Sequence, residues 1–272
     1  SFEIPTKLRK DKPGLLYSPG FAPPMWSSVS AVVTVHDLIG MAFPENQTPV
    51  SGFYWSKWLP AAVRRARCVV ASSESTRRDI ERFLKIPEKN VRVVPLGVDA
   101  AFQKLSDRSR VPAVLERYGI SPPFFISVSS LEPRKNHLRL LHAYESLKRR
   151  GLARFTLVII GKPAGAERAL ETFLKEKGLG VRDVRFLGYV PQEDLVSLYN
   201  AALGYVVMSL YEGFGLPVLE AMSCGLSGVC ADRTSLPEVA GKTAMLVDPE
   251  NTDAIAEALL MFSEDTGRRE DL

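Results

Sequence analysis

Glu212 and Glu220 bracket the run Gly213-Phe214-Gly215-Leu216-Pro217, so two carboxylates flank a glycine turn that opens directly into a helix. Proline is tolerated in the first helical turn, where its missing N–H needs no partner, and Pro217 therefore predicts a helix that ends near Cys224-Gly225. Gly213 and Gly215 let a ligand approach the backbone closely, and the N–H groups around Gly215, Leu216 and Val218 would point outward at the positive end of the helix dipole. Such a terminus is a seat for phosphate. Two acidic residues beside an anion seat suit phosphate alone badly. They suit hydroxyl groups, with amides holding the phosphates between them, and a sugar and a ribose meet that need. The alternative reading is a surface turn followed by an ordinary helix carboxylate.

The run resembles the Glu…Glu signature of the retaining glycosyltransferases of family four, whose fold, GT-B, has two facing Rossmann-like domains. Four further segments are similar to family elements and occur in the right order: His36-Asp37, Pro95-Leu96-Gly97-Val98-Asp99, Ser130-Leu131-Glu132-Pro133-Arg134-Lys135-Asn136, and Thr234-Ser235-Leu236-Pro237-Glu238-Val239. The resemblance spans roughly residues 15–265. It implies an α/β chain with a partial acceptor-side domain over 1–99 and a nucleotide-sugar-binding domain over 100–272. Members begin with a strand and glycine-rich turn for which nothing before Leu15 offers a counterpart, and they continue past Leu272 into a return helix. The expectation is a chain shortened at both ends relative to the family.

Composition agrees with an ordinary folded protein. A 46% hydrophobic and 24% charged chain excludes disorder, and a net charge of +4 is too modest to argue for nucleic acid without a reading module. Cys68, Cys224 and Cys230 are an odd count without metal-ligand spacing, so neither zinc nor a disulfide is expected. The longest apolar runs are strand-sized, and residues 1–13 are polar, which predicts a cytoplasmic protein without a membrane span.

The elements that must position the carboxylates follow from alternating apolar runs and helical-period segments, the pattern of parallel sheets flanked by helices. Strands are predicted at 29–35, 68–71 and 91–95, with a helix over 52–65 and another capped by Ser73 and running to Phe83. The second unit predicts strands at 124–129, 155–160, 184–187, 205–208, 228–231 and 244–247. Its helices are predicted at 138–148, 166–177, 192–201, 217–223 and 253–262, after a linker and first helix within 100–123.

The resemblance assigns roles residue by residue. Lys135 is similar to the diphosphate-binding lysine and would neutralise the leaving group. Arg134 would assist with a forked contact, standing in for an arginine that many members carry at the position of Ser130. Gly161 would let the diphosphate or sugar approach, although a plain turn glycine fits equally. Tyr189 and Val190 resemble the segment that meets the nucleobase through backbone and apolar surface. Glu220 is assigned to the ribose hydroxyls, Glu212 to the donor sugar near the reacting carbon, and His36 to the donor sugar. Gly213, Phe214, Gly215 and Leu216 complete the donor cradle, and Asp99 would brace the hinge. Glu238 is read as capping a turn.

No Asp-x-Asp metal motif is present, and no cofactor is expected beyond the nucleotide-diphosphate sugar, for which GDP-mannose is the first guess. The implied reaction transfers a sugar with retention to a glycan or lipid-linked glycan. Arg64, Arg65, Arg67, Arg77, Arg78, Arg82 and Lys85, with Phe53, Trp55 and Trp58 nearby, could rest on an anionic membrane at its inner face. The competing readings are a nucleotide-sugar-binding module without transferase activity, and an epimerase or phosphorylase on the same two-domain plan.

Overall fold

A computed structural model describes residues 3–20, 22–25, 27, 29–265, 267, 269 and 272. The chain forms two compact units. The first comprises Ser1–Leu96 together with Glu212–Phe214, and the second comprises Gly97–Tyr211 and Gly215–Leu272. The division thus falls three residues before the boundary expected at 99/100, and three residues from the heart of the Glu…Glu run belong with the first unit.

The first unit is a parallel sheet in the order β1-β2-β3-β4, formed by β1 (Leu16–Ser18), β2 (Ala31–Val35), β3 (Cys68–Ala71) and β4 (Val91–Val93). Val33, Val35, Val69 and Ala71 are buried, and they pack with Leu59, Val63, Ile80 and Leu84 from the helices. A parallel strand covered on its faces reads as a continuous apolar run, which is why the Val-rich segments were visible in the sequence. Helix α1 (Glu3–Asp11) and β1 were not anticipated. Helix α1 buries none of its residues, and β1 is three residues long, so neither carries a buried apolar run.

Short helix α2 (Ile39–Ala42) follows β2. The helix expected over 52–65 begins earlier. Thr48 and Ser51 form a reciprocal capping box ahead of α3 (Pro49–Phe53), a π-helical turn covers Tyr54–Trp58, and α4 (Leu59–Val63) completes the run. The wide turn, closed by Leu59 N–H donating to Tyr54 O, comes just before Pro60, a residue that could not have continued an ordinary helical ladder. Ser73 caps α5 (Glu74–Asp79) as expected, its Oγ accepting from the Thr76 amide.

The second unit is a six-stranded parallel sheet in the order β10-β9-β8-β5-β6-β7. Its strands are β5 (Phe124–Val128), β6 (Thr156–Ile160), β7 (Val184–Gly188), β8 (Gly204–Val207), β9 (Gly228–Ala231) and β10 (Ala244–Val247). Its helices are α6 (Val111–Tyr118), α7 (His137–Arg149), α8 (Glu167–Lys177), α9 (Gln192–Ala201), α10 (Leu216–Ser223), α11 (Leu236–Ala240) and α12 (Thr252–Glu264). Side chains alternate along the strands. Phe124, Ile126, Val158 and Ile160 join Val114, Leu198, Tyr199 and Val218 on one face, while Phe125, Leu157 and Ile159 join Leu140, Tyr144, Leu259 and Phe262 on the other. Two apolar faces, each covered by helices, make a doubly wound Rossmann-like domain.

In this order the chain leaves β5 toward β6 on one side and returns to β8 on the other. The crevice beyond the carboxyl ends of β5 and β8 is therefore the switch point where open α/β sheets collect ligands. Residues 234–239, expected to hold only a turn at Glu238, instead carry the five-residue helix α11, with Pro237 in its first turn. Asp99 makes a local turn, its Oδ1 accepting the Ala101 amide at 2.8 Å.

Candidate donor site

Within the second unit, the loop after β5 carries Lys135 on a 3-10 turn, Pro133–Lys135, that leads into α7. Asn136 adopts a left-handed conformation (φ 61°) at the start of α7 but does not cap it with its side chain. Instead Asn136 Nδ2 donates to Pro249 O at 2.7 Å, and its Oδ1 accepts from Arg139. Arg134 is occupied by the protein. Its Nε donates to Glu132 Oε2 at 2.7 Å, its Nη1 to Tyr211 O at 3.1 Å, and its carbonyl accepts from Leu210 N at 2.8 Å. These bonds lash the β5 loop to the β8 loop across the switch point. The guanidinium so engaged is a brace for the loop that presents Lys135, in addition to the phosphate contact that the resemblance implies.

Glu132 and Ser130 form part of the same brace, and sequence reasoning passed over Glu132. Ser130 Oγ donates to Glu132 Oε1 at 2.6 Å. Burial alone would raise the Glu132 carboxyl, but the Ser130 hydrogen bond and the charges of Arg134 and Lys135 outweigh it, so the group lies below the usual carboxylate range. His137 behind the turn is buried, with Nε2 3.0 Å from Ser129 Oγ. Desolvation, with a smaller push from Lys135, lowers it to about 4, so it is neutral at physiological pH and adds no charge to the site.

Gly161 follows β6, and its amide donates to Gly188 O at 2.9 Å. A Cβ built on Gly161 would lie 1.8 Å from Ser129 O and 2.5 Å from Ser129 C. Its glycine character is thus required by the neighbouring backbone, which fills the space a side chain would need. Val190 is buried in the core and has only its backbone to offer a base, whereas Tyr189 is 72% exposed with Lys162 Nζ 5.6 Å from its ring centroid.

Gly215, buried and at φ 106°, starts α10. The first bond of the helix runs from Val218 N–H to Gly215 O at 3.0 Å, so the Val218 amide is not open to an anion as the sequence reading had it. Pro217 has no N–H. The amides that precede the helical ladder are those of Gly215 and Leu216. Glu220, one turn on, accepts from Tyr199 OH at 3.3 Å. Burial raises its carboxyl above the ordinary range, and the Tyr199 hydrogen bond offsets only part of that.

A half-buried acid whose pKa is raised by partial desolvation is better tolerated in its neutral form. The stability it contributes is full below the unfolded value of about 4.5 and declines as pH rises through the folded value. Glu220→Gln, which keeps an acceptor for Tyr199, is therefore expected to match the wild type in Tm near pH 4 and to exceed it near pH 7. A pair of thermal melts at each pH checks this; a constant difference across the range would count against a half-buried, reluctantly ionised carboxylate.

Within the first unit, His36 follows β2, and its Nε2 lies 2.8 Å from Pro19 O, so this nitrogen carries the proton. Asp37 Oδ1 accepts the Ile39 amide at 3.1 Å. Glu212, Gly213 and Phe214 lie in the same unit. The contact is close, because a Cβ on Gly213 would stand 2.2 Å from His36 O and 2.7 Å from Asp37 Cβ. The tertiary structure thus brings the backbone of His36 against that of Gly213, next to Glu212 in the chain, while Lys135, Arg134, Gly161, Tyr189, Val190, Gly215, Leu216 and Glu220 are carried by the second unit.

The two parallel α/β units have the fold called GT-B, built from Rossmann-like sheets. The family model of group 1 glycosyl transferases matches residues 116–272, and that of Glycosyltransferase Family 4 matches residues 1–102. The chain belongs to the group 1 glycosyltransferase family. It is 36% identical over 241 residues to O-antigen chain mannosyltransferase B of Escherichia coli, covering 88% of this chain and 63% of that protein. It is 31% identical over 257 residues to D-inositol 3-phosphate glycosyltransferase of Nocardia farcinica, covering 89% of this chain and 55% of the relative. The chain thus spans less than two thirds of these curated relatives. Among solved structures, Anabaena Alr3699/HepE in complex with UDP and glucose superposes with a TM-score of 0.79 at 21% identity, over 99% of this chain and 74% of that one. WaaG, a glycosyltransferase involved in lipopolysaccharide biosynthesis, superposes with a TM-score of 0.74 at 14% identity, over 98% and 73%.

Proposed function

We propose that the chain transfers a hexose, with mannose from GDP-mannose as the first candidate, to a glycan or lipid-linked glycan acceptor with retention of configuration. The observation that carries this reading is the grouping at the switch point of the second unit: Lys135 on a braced turn, the Gly215 and Leu216 amides at the start of α10, and Glu220 one turn behind them. Lys135 and the amides would take the charge of the departing diphosphate. Glu220 would accept from ribose hydroxyls, which favour its ionised form. Glu212 and His36 would address the donor sugar. The bond from the anomeric carbon to phosphate oxygen breaks, the bond to the acceptor oxygen forms on the same face, and the acceptor proton passes to the diphosphate. The name of the relative O-antigen chain mannosyltransferase B supports the choice of sugar.

Peripheral membrane contact belongs to the same reading. Val50 is 81% and Phe53 63% exposed, with Lys57, Arg64 and Arg65 also exposed, a combination suited to an anionic lipid surface. No helix among the described residues is long and apolar enough to cross a membrane.

Calorimetric titration of GDP, UDP and ADP tests the donor assignment. One diphosphate is expected to bind, and Lys135→Ala and Glu220→Ala are each expected to weaken it at least tenfold, about 1.4 kcal/mol. Variants that bind as the wild type does would sink the assignment. Binding without release of nucleotide from the matching sugar donor, acceptor supplied, would favour a non-catalytic binding module.

A further inference from the structure

Three hydroxyls of the first unit converge on two backbone carbonyls that lie beside the candidate catalytic groups. Ser72, Ser73 and Thr76 are 1%, 3% and 1% exposed. Ser72 Oγ lies 2.8 Å from His36 O and 3.2 Å from Gly213 O. Ser73 Oγ lies 2.6 Å from Gly213 O, across 140 residues of sequence. Thr76 Oγ1 lies 3.0 Å from Gly213 O and 3.2 Å from His36 O.

Each hydroxyl has one proton to give, and each carbonyl has two lone pairs. Taking the shortest contacts, Ser72 donates to His36 O, while Ser73 and Thr76 both donate to Gly213 O. This uses every proton once and overfills no acceptor. Ser73 Oγ also accepts the Thr76 amide at 3.0 Å, so the hydroxyl that caps α5 is itself held in place. A loop carbonyl saturated by two buried hydroxyl donors, with no room for a Cβ on the same residue, has little freedom to move.

We propose that Ser72, Ser73 and Thr76 are positioning residues that hold the Glu212–Phe214 segment and His36 as one preorganised unit, acting through the Gly213 and His36 carbonyls. The inference rests on the reading of Glu212 and His36 as groups that address the donor sugar. Clamping the carbonyl next to Glu212 fixes the origin of that side chain, and a carboxylate held in place before the substrate arrives loses less entropy in the transition state. The hydroxyls themselves touch no substrate.

Thr76→Val is the informative variant, because valine keeps the shape and leaves the Ser73 cap intact, whereas Ser73→Ala would remove cap and clamp together. In the whole chain, amide exchange over residues 212–214, read by mass spectrometry, is expected to quicken about threefold or more in Thr76→Val while β2 and β3 are unchanged. With the matching sugar donor, kcat is expected to fall roughly tenfold at nearly constant Kd for the nucleotide diphosphate. Thr76→Ser, which restores the hydroxyl, should recover both. Unchanged exchange over 212–214 overturns the proposal whether or not the wild-type chain transfers sugar. An equal kcat loss in Thr76→Ser, or a loss matched by weaker nucleotide binding, overturns it as well. A wild-type chain that binds no nucleotide sinks the donor-site reading instead, and the exchange comparison still decides the clamp.

Discussion

Gly213→Ala is expected to reduce sugar transfer by about 100-fold while leaving nucleotide diphosphate affinity within a factor of about two. The argument is steric. The new methyl would need to sit 2.2 Å from His36 O and 2.7 Å from Asp37 Cβ, well inside van der Waals contact, and the nearest of these is backbone rather than the end of a flexible side chain. The segment must retreat, and in retreating it pulls the Gly213 carbonyl away from Ser73 and Thr76, whose hydroxyls fall back on the longer contacts to Thr76 Oγ1 and His36 O. The combined overpacking and lost bonding should cost about 2–3 kcal/mol. Glu212 moves with the backbone, and a displacement near an ångström at a reacting centre has an effect of the stated size. Lys135, Gly215 and Glu220 belong to the other unit, so binding of the diphosphate alone should survive. Steady-state kinetics together with calorimetry on the same preparation check both halves; loss of affinity in parallel with kcat would show that the segment serves binding rather than reaction geometry.

Gly161→Ala should do the reverse, removing nucleotide binding and destabilising the second unit by about 3 kcal/mol. Its Cβ would stand 1.8 Å from Ser129 O, so β5 and β6 would have to part at their carboxyl ends, where Ser129 N–H donates to Ile160 O at 2.9 Å. Everything that presents Lys135 hangs from that junction: Ser129 meets His137, Ser130 meets Glu132, and Glu132 meets Arg134. Shifting Ser129 unseats the whole brace. A fall in denaturation midpoint with nucleotide affinity lost is the expected result, read by urea unfolding and by titration. If affinity persisted at full stability, the β5–β6 junction would not be what holds the lysine turn.

Much of this was legible beforehand because it is written locally. The apolar runs of β3, β9 and β10 and the helical period of α9 match the structure residue for residue, since each strand is a short apolar run flanked by polar residues (Arg67 and Ser72, Ser227 and Asp232, Thr243 and Asp248). Helix α1 was illegible for another reason: it buries no residue, and Ile4 and Leu8 are the only large apolar side chains in a mostly polar and charged segment. Among site residues, Lys135 and Glu220 stood out by their place after a strand and within a helix opening. Arg134 reads in sequence as a cation beside another cation, and only its bonds to Glu132 and Tyr211 reveal a brace. Val218 looked available because amide donors near a helix start usually are, but Gly215 begins the ladder one step sooner than Pro217 suggested.

By itself, then, the sequence determined the alternation of strand and helix, the two sheets, the glycine turn between two carboxylates and the family to which these belong. All of these depend on residue type and short spacing, through side-chain period and backbone preference. The tertiary structure alone decided that Glu212–Phe214 folds with the first unit, that the Ser73 hydroxyl, with Thr76 beside it, closes on a carbonyl 140 residues away, and that Gly161 is required by the neighbouring backbone. Contacts of that kind leave no period along the chain. A serine that caps a helix and a serine that also holds a distant loop are the same letter, and only the packing that brings the carbonyl to 2.6 Å tells them apart.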